Sequence, residues 1–255
     1  MNKHSAQAKI FLVIMLVMIY IPIVSLMLFS FNESKSLTRF TGFSLEWYAK
    51  LFQSEQIMDA VITTLVIAIL ATIISTLLGT MAALALADVK RGVRETTLGL
   101  NHLPIVNPEI VTAISFFVFF GAIQMDRGWL TMLIAHIAFC TPYVVITVYL
   151  KVRSMDPHLA DAAYDLGATP LQALYKVILP QIKVGMIAGA AIAFTMSFDD
   201  FVISYFAASG SAVQNISIYL YTLKRGVEPT INALSTIIIT IIGIKIMRDY
   251  WKQKI

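Results

Sequence analysis

The sequence predicts an all-α membrane protein with six transmembrane helices and both termini cytoplasmic. Three observations carry this. Hydrophobic residues make up 58% of the 255 residues and charged residues only 13%, against about 25% charged in soluble domains. Six apolar stretches, 10–30, 60–87, 103–123, 129–150, 184–208 and 231–247, reach the roughly 20 residues that a transmembrane helix needs. Lys and Arg are unevenly divided between the connecting segments, which sets orientation.

A mean hydropathy of +0.78 excludes soluble enzymes, disordered chains and coiled coils, since a compact soluble fold would leave large apolar patches in water. The single cysteine, Cys140, lies in an apolar run, so no disulfide framework forms within the chain. The basic surplus of 19 Lys+Arg over 15 Asp+Glu flanks the apolar segments and does not point to nucleic acid.

The first stretch is read as a retained span: it is too long for a signal peptide, and no small-x-small site follows Phe29-Ser30-Phe31. With the N-terminus inside, 13 Lys and Arg fall in inside segments and 6 in outside ones, the latter including Lys224 and Arg225. Trp129 and Trp251 stand at span ends, as interfacial anchors do. Residues 124–128 make a tight outside turn, and 31–59 a long outside segment. No tandem repeat or low-complexity tract interrupts the chain, so residues 1–255 read as a single membrane domain.

The inside loop 151–183 is punctuated. Asp156 is a good N-cap, with Pro157 at the first helical position. Gly167 suits a left-handed residue past a helix end. Thr169-Pro170 repeats the cap signal, and Pro180 is expected to stop the second helix. Two short helices with a sharp turn at Gly167 follow. Leu159, Ala162, Ala163 and Leu166 form one apolar stripe; Leu171, Leu174 and Ile178 form another. Helices this short are marginal in water. They pack on the chain's own spans or dock into a partner's groove.

Asp161-Ala162-Ala163-x-x-x-Gly167, followed by Leu179-Pro180, resembles the "EAA" loop of ABC-importer permeases, with Asp161 where that family usually has Glu. Residues 60–247 correspond to that family's type I transmembrane core. Further segments resemble the C-type permeases of spermidine/putrescine importers. They are Tyr20-Ile21-Pro22-Ile23, Ser30-Phe31-Asn32, Pro108-Glu109-Ile110-Val111, His136 to Pro142, Ser197-Phe198-Asp199-Asp200, and Val227-Glu228-Pro229-Thr230. The resemblance implies a bacterial inner-membrane permease that is not itself an enzyme. It implies that Asp161, Ala162, Ala163, Gly167, Leu179 and Pro180 couple to an ATP-hydrolysing partner. The implied partners are a B-type permease, an ATP-binding subunit dimer and a periplasmic polyamine-binding protein, all around the lipid bilayer and without nucleic acid. No cofactor is expected on this chain; ATP and Mg belong to the partner ATPase. In keeping with that, no phosphate-cradling Gly-x-x-x-x-Gly-Lys-Ser/Thr loop occurs.

Glu109, Asp199 and Asp200 lie in or near apolar spans, where an ionised carboxylate costs about 2.5–3.5 kcal/mol on insertion scales. No Lys or Arg lies deep in a span, so the balancing cation is expected from a partner or from the transported solute. Glu109 starts the third span, whereas Asp199 lies roughly 22 Å up the fifth. Inner and outer acids along a polyamine route is one reading; a capped helix break or a subunit contact at Asp199-Asp200 is the other. Trp47 is either an interfacial anchor or a cation–π wall at the outer mouth; by its place in the family pattern it counts as a route residue. The alternatives for function are a permease for another cationic solute or iron complex, or a proton-coupled carrier.

Asn107-Pro108-Glu109 lacks the second box of a water channel, and Pro104 and Pro108 are read as breaking a helix to free carbonyls for a cavity. Ser209-Gly210-Ser211 has no histidine placed to make it a protease site. His4, His102, His136 and His158 have no metal spacing, and His136 is read as a hydrogen-bonded packing residue.

Overall fold

The computed structural model describes residues 3–36, 38–223 and 229–253. Val227-Glu228, Lys224, Arg225 and Lys254, used in the sequence argument, lie outside them. Among the described residues the chain is helical, with no strand and one isolated bridge, Asn32 to Phe43. Five helices are long and apolar enough to cross a membrane, or six if a bent pair counts as one span.

Contacts divide the chain into two compact units, residues 1–58 with 222–255, and residues 59–221. In the first unit, α1 (Lys3–Phe29) and α2 (Glu46–Gln53) both pack on α12 (Pro229–Gln253). The segment before α2 is built on Asn32, which is fully buried. Its amide donates to the carbonyls of Ser36 and Arg39, both at 2.9 Å, and its Oδ1 accepts from Thr41 N at 2.8 Å. Phe31 stacks on Phe43 and tilts against Tyr48, whose hydroxyl meets Ser30 Oγ at 2.8 Å. Ser30-Phe31-Asn32 is thus a local staple that holds a polar segment without regular structure.

In the second unit, α3 (Glu55–Asp88) and α6 (Trp129–Arg153) are long spans. The third expected span, 103–123, is corrected. Residues 103–106 end a separate helix, α4 (Arg91–Val106), and α5 (Glu109–Ala122) leaves it at 101°. Pro108 explains the break, because proline removes a backbone donor and pushes the preceding residue out of the helical region; Asn107 has ψ 137°. Asn101 secures α4 by donating to Pro142 O at 3.0 Å.

The loop carries α7 (Leu159–Asp165) and α8 (Pro170–Ala173). Helix α7 starts at Leu159, not at Pro157; Asp156 Oδ1 instead accepts from His158 N at 2.9 Å in a turn before it. Its end is a Schellman cap: Gly167 N donates to Tyr164 O, Ala168 N to Ala163 O, and Gly167 has φ +80°. Thr169 and Gln172 then form a reciprocal capping box. Pro180 does not stop the helix that follows. A π-turn at Leu174–Ile178 leads directly into α9 (Leu179–Phe198), with Pro180 in its first turn. The wider turn, bonded i to i+5, ends just before Pro180, which thereby takes a first-turn position where its missing N–H is tolerated.

The fifth expected span, 184–208, is likewise two pieces. α9 ends at Phe198, and the short α10 (Val202–Ala207) follows after a break at 199–201. α9 lies antiparallel on α6 through a face of small residues. Gly185, Gly189, Ala193 and Ser197 are buried at four-residue intervals. A Cβ on Gly185 would lie 2.7 Å from Lys151 Cβ, and one on Gly189 would lie 3.2 Å from Val144 Cγ1. Cys140 Sγ reaches Ala193 O at 3.5 Å. Small residues let helix backbones approach closely where lipid gives no hydrophobic drive between helices.

Candidate functional site: acids at two facing helix breaks

The α4–α5 bend and the α9–α10 break bring the three intramembrane acids together. α5 runs beside α10, with Phe117 edge-on to Phe206 at 6.1 Å between centroids. Glu109 opens α5 and Asp200 precedes α10, so Glu109 stands near enough to feel the charges of Asp200 and Asp199. The expectation that the acids lie at different depths is therefore corrected: a helix that begins at Glu109 starts level with the one that begins after Asp200.

Asp200 is buried, with 1% of its side chain exposed. Oδ2 accepts from Ser204 N and Ser204 Oγ, both at 2.7 Å, and Oδ1 accepts from Ile203 N at 3.2 Å. These are the orphan donors at the start of α10, which a carboxylate caps well. His136, from α6, lies between the two half-helices. Its Nε2 is 2.8 Å from Ser204 Oγ and 3.3 Å from Asp200 Oδ2, and its Nδ1 is 2.6 Å from Ser197 Oγ. Asn215 Nδ2 donates to Ser204 Oγ at 2.8 Å and to Asp200 O at 2.9 Å.

Donor counting fixes the protons. The one hydrogen of Ser204 Oγ goes to Asp200, so that oxygen can only accept from Asn215 and from His136. His136 Nε2 therefore carries a hydrogen, and in neutral imidazole Nδ1 accepts from the Ser197 hydroxyl. The expectation that this chain offers its buried acid little compensation is corrected for Asp200. One hydroxyl, two backbone N–H groups and an imidazole satisfy it, as a buried carboxylate requires. Asp199 and Glu109 are exposed, and among the described residues no cation forms an ion pair with either.

Trp47 belongs to the other unit. It is 4% exposed, its Nε1 donates to Asn32 O at 2.6 Å, and Lys50 Nζ stands 4.7 Å from its ring centroid. Its cation–π face thus holds the chain's own ammonium. Trp47→Phe keeps the aromatic face and loses the donor, leaving Asn32 O short of a partner at a cost of about 1–3 kcal/mol. A lower thermal unfolding midpoint is expected; an unchanged midpoint would show that the bond contributes nothing.

In the loop, Asp161 is exposed, with His158 Nδ1 3.8 Å from its carboxylate. Ala162 is exposed, Ala163 and Ala173 are buried, and Leu179 is partly buried. Three large apolar side chains face outward: Leu166 is 90% exposed, Leu171 67% and Tyr175 65%. The expected stripes are thus split: Ala163 is buried and Leu159, Leu174 and Ile178 are partly buried, whereas Ala162, Leu166 and Leu171 are exposed. Sequence reasoning missed the partners of His136; the pattern Asp200-x-x-x-Ser204 is an N-cap signal that marks α10.

The sequence pattern of the binding-protein-dependent transport system inner membrane component matches residues 75–255. The chain belongs to this family. It is a transport permease subunit of the bacterial inner membrane, not an enzyme. This permease is 36% identical over 235 residues to the putrescine transport system permease protein PotI of Escherichia coli (strain K12), covering 89% of the chain and 83% of that protein. Over 232 residues it is 33% identical to the spermidine/putrescine transport system permease protein PotC of Haemophilus influenzae, covering 91% and 90%. The permease fold is also similar to that of a bacterial ABC transporter involved in the import of the acidic polysaccharide alginate. That match has a TM-score of 0.69 at 15% identity and covers 98% of this chain and 95% of the other.

Proposed function

We propose that the chain forms half of the pore of an ATP-driven importer for polyamines, spermidine or putrescine. The observation that carries this is the approach of Glu109, Asp199 and Asp200 at two facing helix breaks, with no Lys or Arg paired to them among the described residues. Two unit charges about 4 Å apart interact by roughly 4 kcal/mol at an effective dielectric of 20, so like charges there favour a passing polycation. Interrupted helices with polar groups at the break are also how membrane carriers build solute sites. The relatives named for putrescine and spermidine support the same substrate class.

In this reading Glu109 and Asp199 meet the ammonium groups. Asp200 contributes charge from below, and Trp47 belongs to the approach. The loop with Asp161, Ala162, Ala163, Gly167, Leu179 and Pro180 docks on the ATPase. Its outward Leu166, Leu171 and Tyr175 supply the apolar contact that helix-in-groove docking uses. A B-type permease completes the pore, an ATPase pair binds ATP and Mg, and a periplasmic protein delivers the polyamine.

The test is uptake of radiolabelled spermidine and putrescine with all partner subunits present. The Glu109→Gln, Asp199→Asn pair should lower uptake roughly tenfold or more, a change of about 1.4 kcal/mol, while the complex assembles and hydrolyses ATP. Normal uptake by that pair would remove both acids from the route. Uptake that stops when the proton gradient is collapsed at constant ATP would replace the importer with a proton-coupled carrier.

A further inference from the structure

His136 ties together three elements that the chain breaks apart. It stands on α6, takes the hydroxyl of Ser197 in the last turn of α9, and donates across the break to Ser204 of α10 and to Asp200 just before it. Its ring is 1% exposed, so it does not itself meet solute. Without it, Ser197 and Ser204 would lose their common hydrogen-bond partner across the break. Asp199 lies in that segment, bracketed by Asp199 N to Thr195 O and by Ser217 Oγ to Asp199 O, both at 3.4 Å. Those are long, weak bonds. The short bonds are the ones that pass through His136, Ser204 and Asp200.

We propose that His136 is a positioning residue for transport. By holding Ser197 against Ser204 and Asp200, it fixes the turn that presents Asp199 beside Glu109, and it keeps the Asp200 carboxylate turned inward. A networked imidazole is suited to this because it bridges two hydroxyls on opposite ring edges at a fixed separation. The consequence is on coupling: when the turn loosens, the ATPase still cycles, but fewer polyamines pass per ATP. This rests on Asp199 and Glu109 being route acids.

The experiment compares wild type, His136→Leu, His136→Gln and Ser197→Ala in the complete reconstituted importer, reading polyamine uptake and ATP hydrolysis in the same vesicles. Inserted protein is quantified for each. His136→Leu should lower polyamine moved per ATP at least fivefold, and more for spermidine than for the less charged putrescine. His136→Gln, which keeps a donor near Nε2, should recover to within twofold of wild type. Ser197→Ala, which removes only the α9 end of the bridge, should fall between them. If uptake and hydrolysis drop together in proportion to inserted protein, His136 is a packing residue and the proposal fails. A His136→Leu ratio equal to wild type overturns it as well. Should wild type move no polyamine at all, it is the substrate reading that fails. A lowered ratio in His136→Leu together with a normal ratio in the Glu109→Gln, Asp199→Asn pair would show that His136 acts on something other than these acids, which also overturns the proposal.

Discussion

Asp200→Ala is expected to unfold the corner between α9 and α10, whereas Asp199→Ala leaves it standing. The two residues are adjacent and chemically identical, so the contrast isolates environment. The Asp200 carboxylate satisfies the N–H groups of Ile203 and Ser204, the Ser204 hydroxyl and the His136 Nε2 hydrogen. Removing it strands these donors in a site closed to water, and breaking such a buried arrangement from one side costs about 3–5 kcal/mol. Asp199 is exposed without an ion pair, and surface changes of that kind stay within about 0.5 kcal/mol. Thermal unfolding of the purified protein in lipid nanodiscs, together with the yield of inserted protein, measures both. Equal losses from the two variants would contradict the assignment of Asp200 as the cap.

The second large effect comes from a pair of glycines. Gly79 of α3 is pressed on α6: an added Cβ would lie 2.7 Å from both Cβ and Cγ1 of Val144 and 3.1 Å from the backbone N of Val145. Val144 is itself fully buried, so neither helix can yield without moving its backbone. Gly79→Ala should therefore destabilise by about 1–3 kcal/mol through overpacking. Gly99 of α4 has nothing within 4 Å of the same added atom. There the substitution should stabilise by up to about 1 kcal/mol, because alanine is the better helix former. The same chemical change is thus expected to have opposite signs at two positions, read as opposite shifts in unfolding midpoint. Shifts of the same sign would remove the close approach of α3 and α6.

Most of the spans were legible because lipid demands long apolar runs, and the chain supplies them at 10–30, 60–87, 129–150 and 231–247. Punctuation was legible too. Gly167, Thr169 and Pro170 act on their immediate neighbours, and the turn they predict is present. Local chemistry states where hydrogen bonding fails, and Pro108 marked such a place. It does not state which way the chain leaves, so the 101° turn there and the resulting meeting of Glu109 with Asp200 were beyond it. Pro180 misled for a related reason: a proline fits the first turn of a helix as well as it ends one, and here it opens α9 directly after the wider turn. The partners of His136 lie 61 and 68 residues away. Only the pairing of α6 with α9 brings them together, and the alternation of Gly185, Gly189, Ala193 and Ser197 acquires meaning once that pairing is known. The route role of Trp47, Glu109, Asp199 and Asp200 and the docking role of the loop remain proposals.

That seam of small residues has a mechanical consequence. Interlocked helices resist sliding because side chains of one sit as teeth in the gaps of the other. The face that α9 turns to α6 has almost no teeth from Gly185 to Ala193. Resistance is concentrated at the tip, where Ser197 meets His136. A rod smooth along its length and pinned at one end swings about the pin; it does not ratchet.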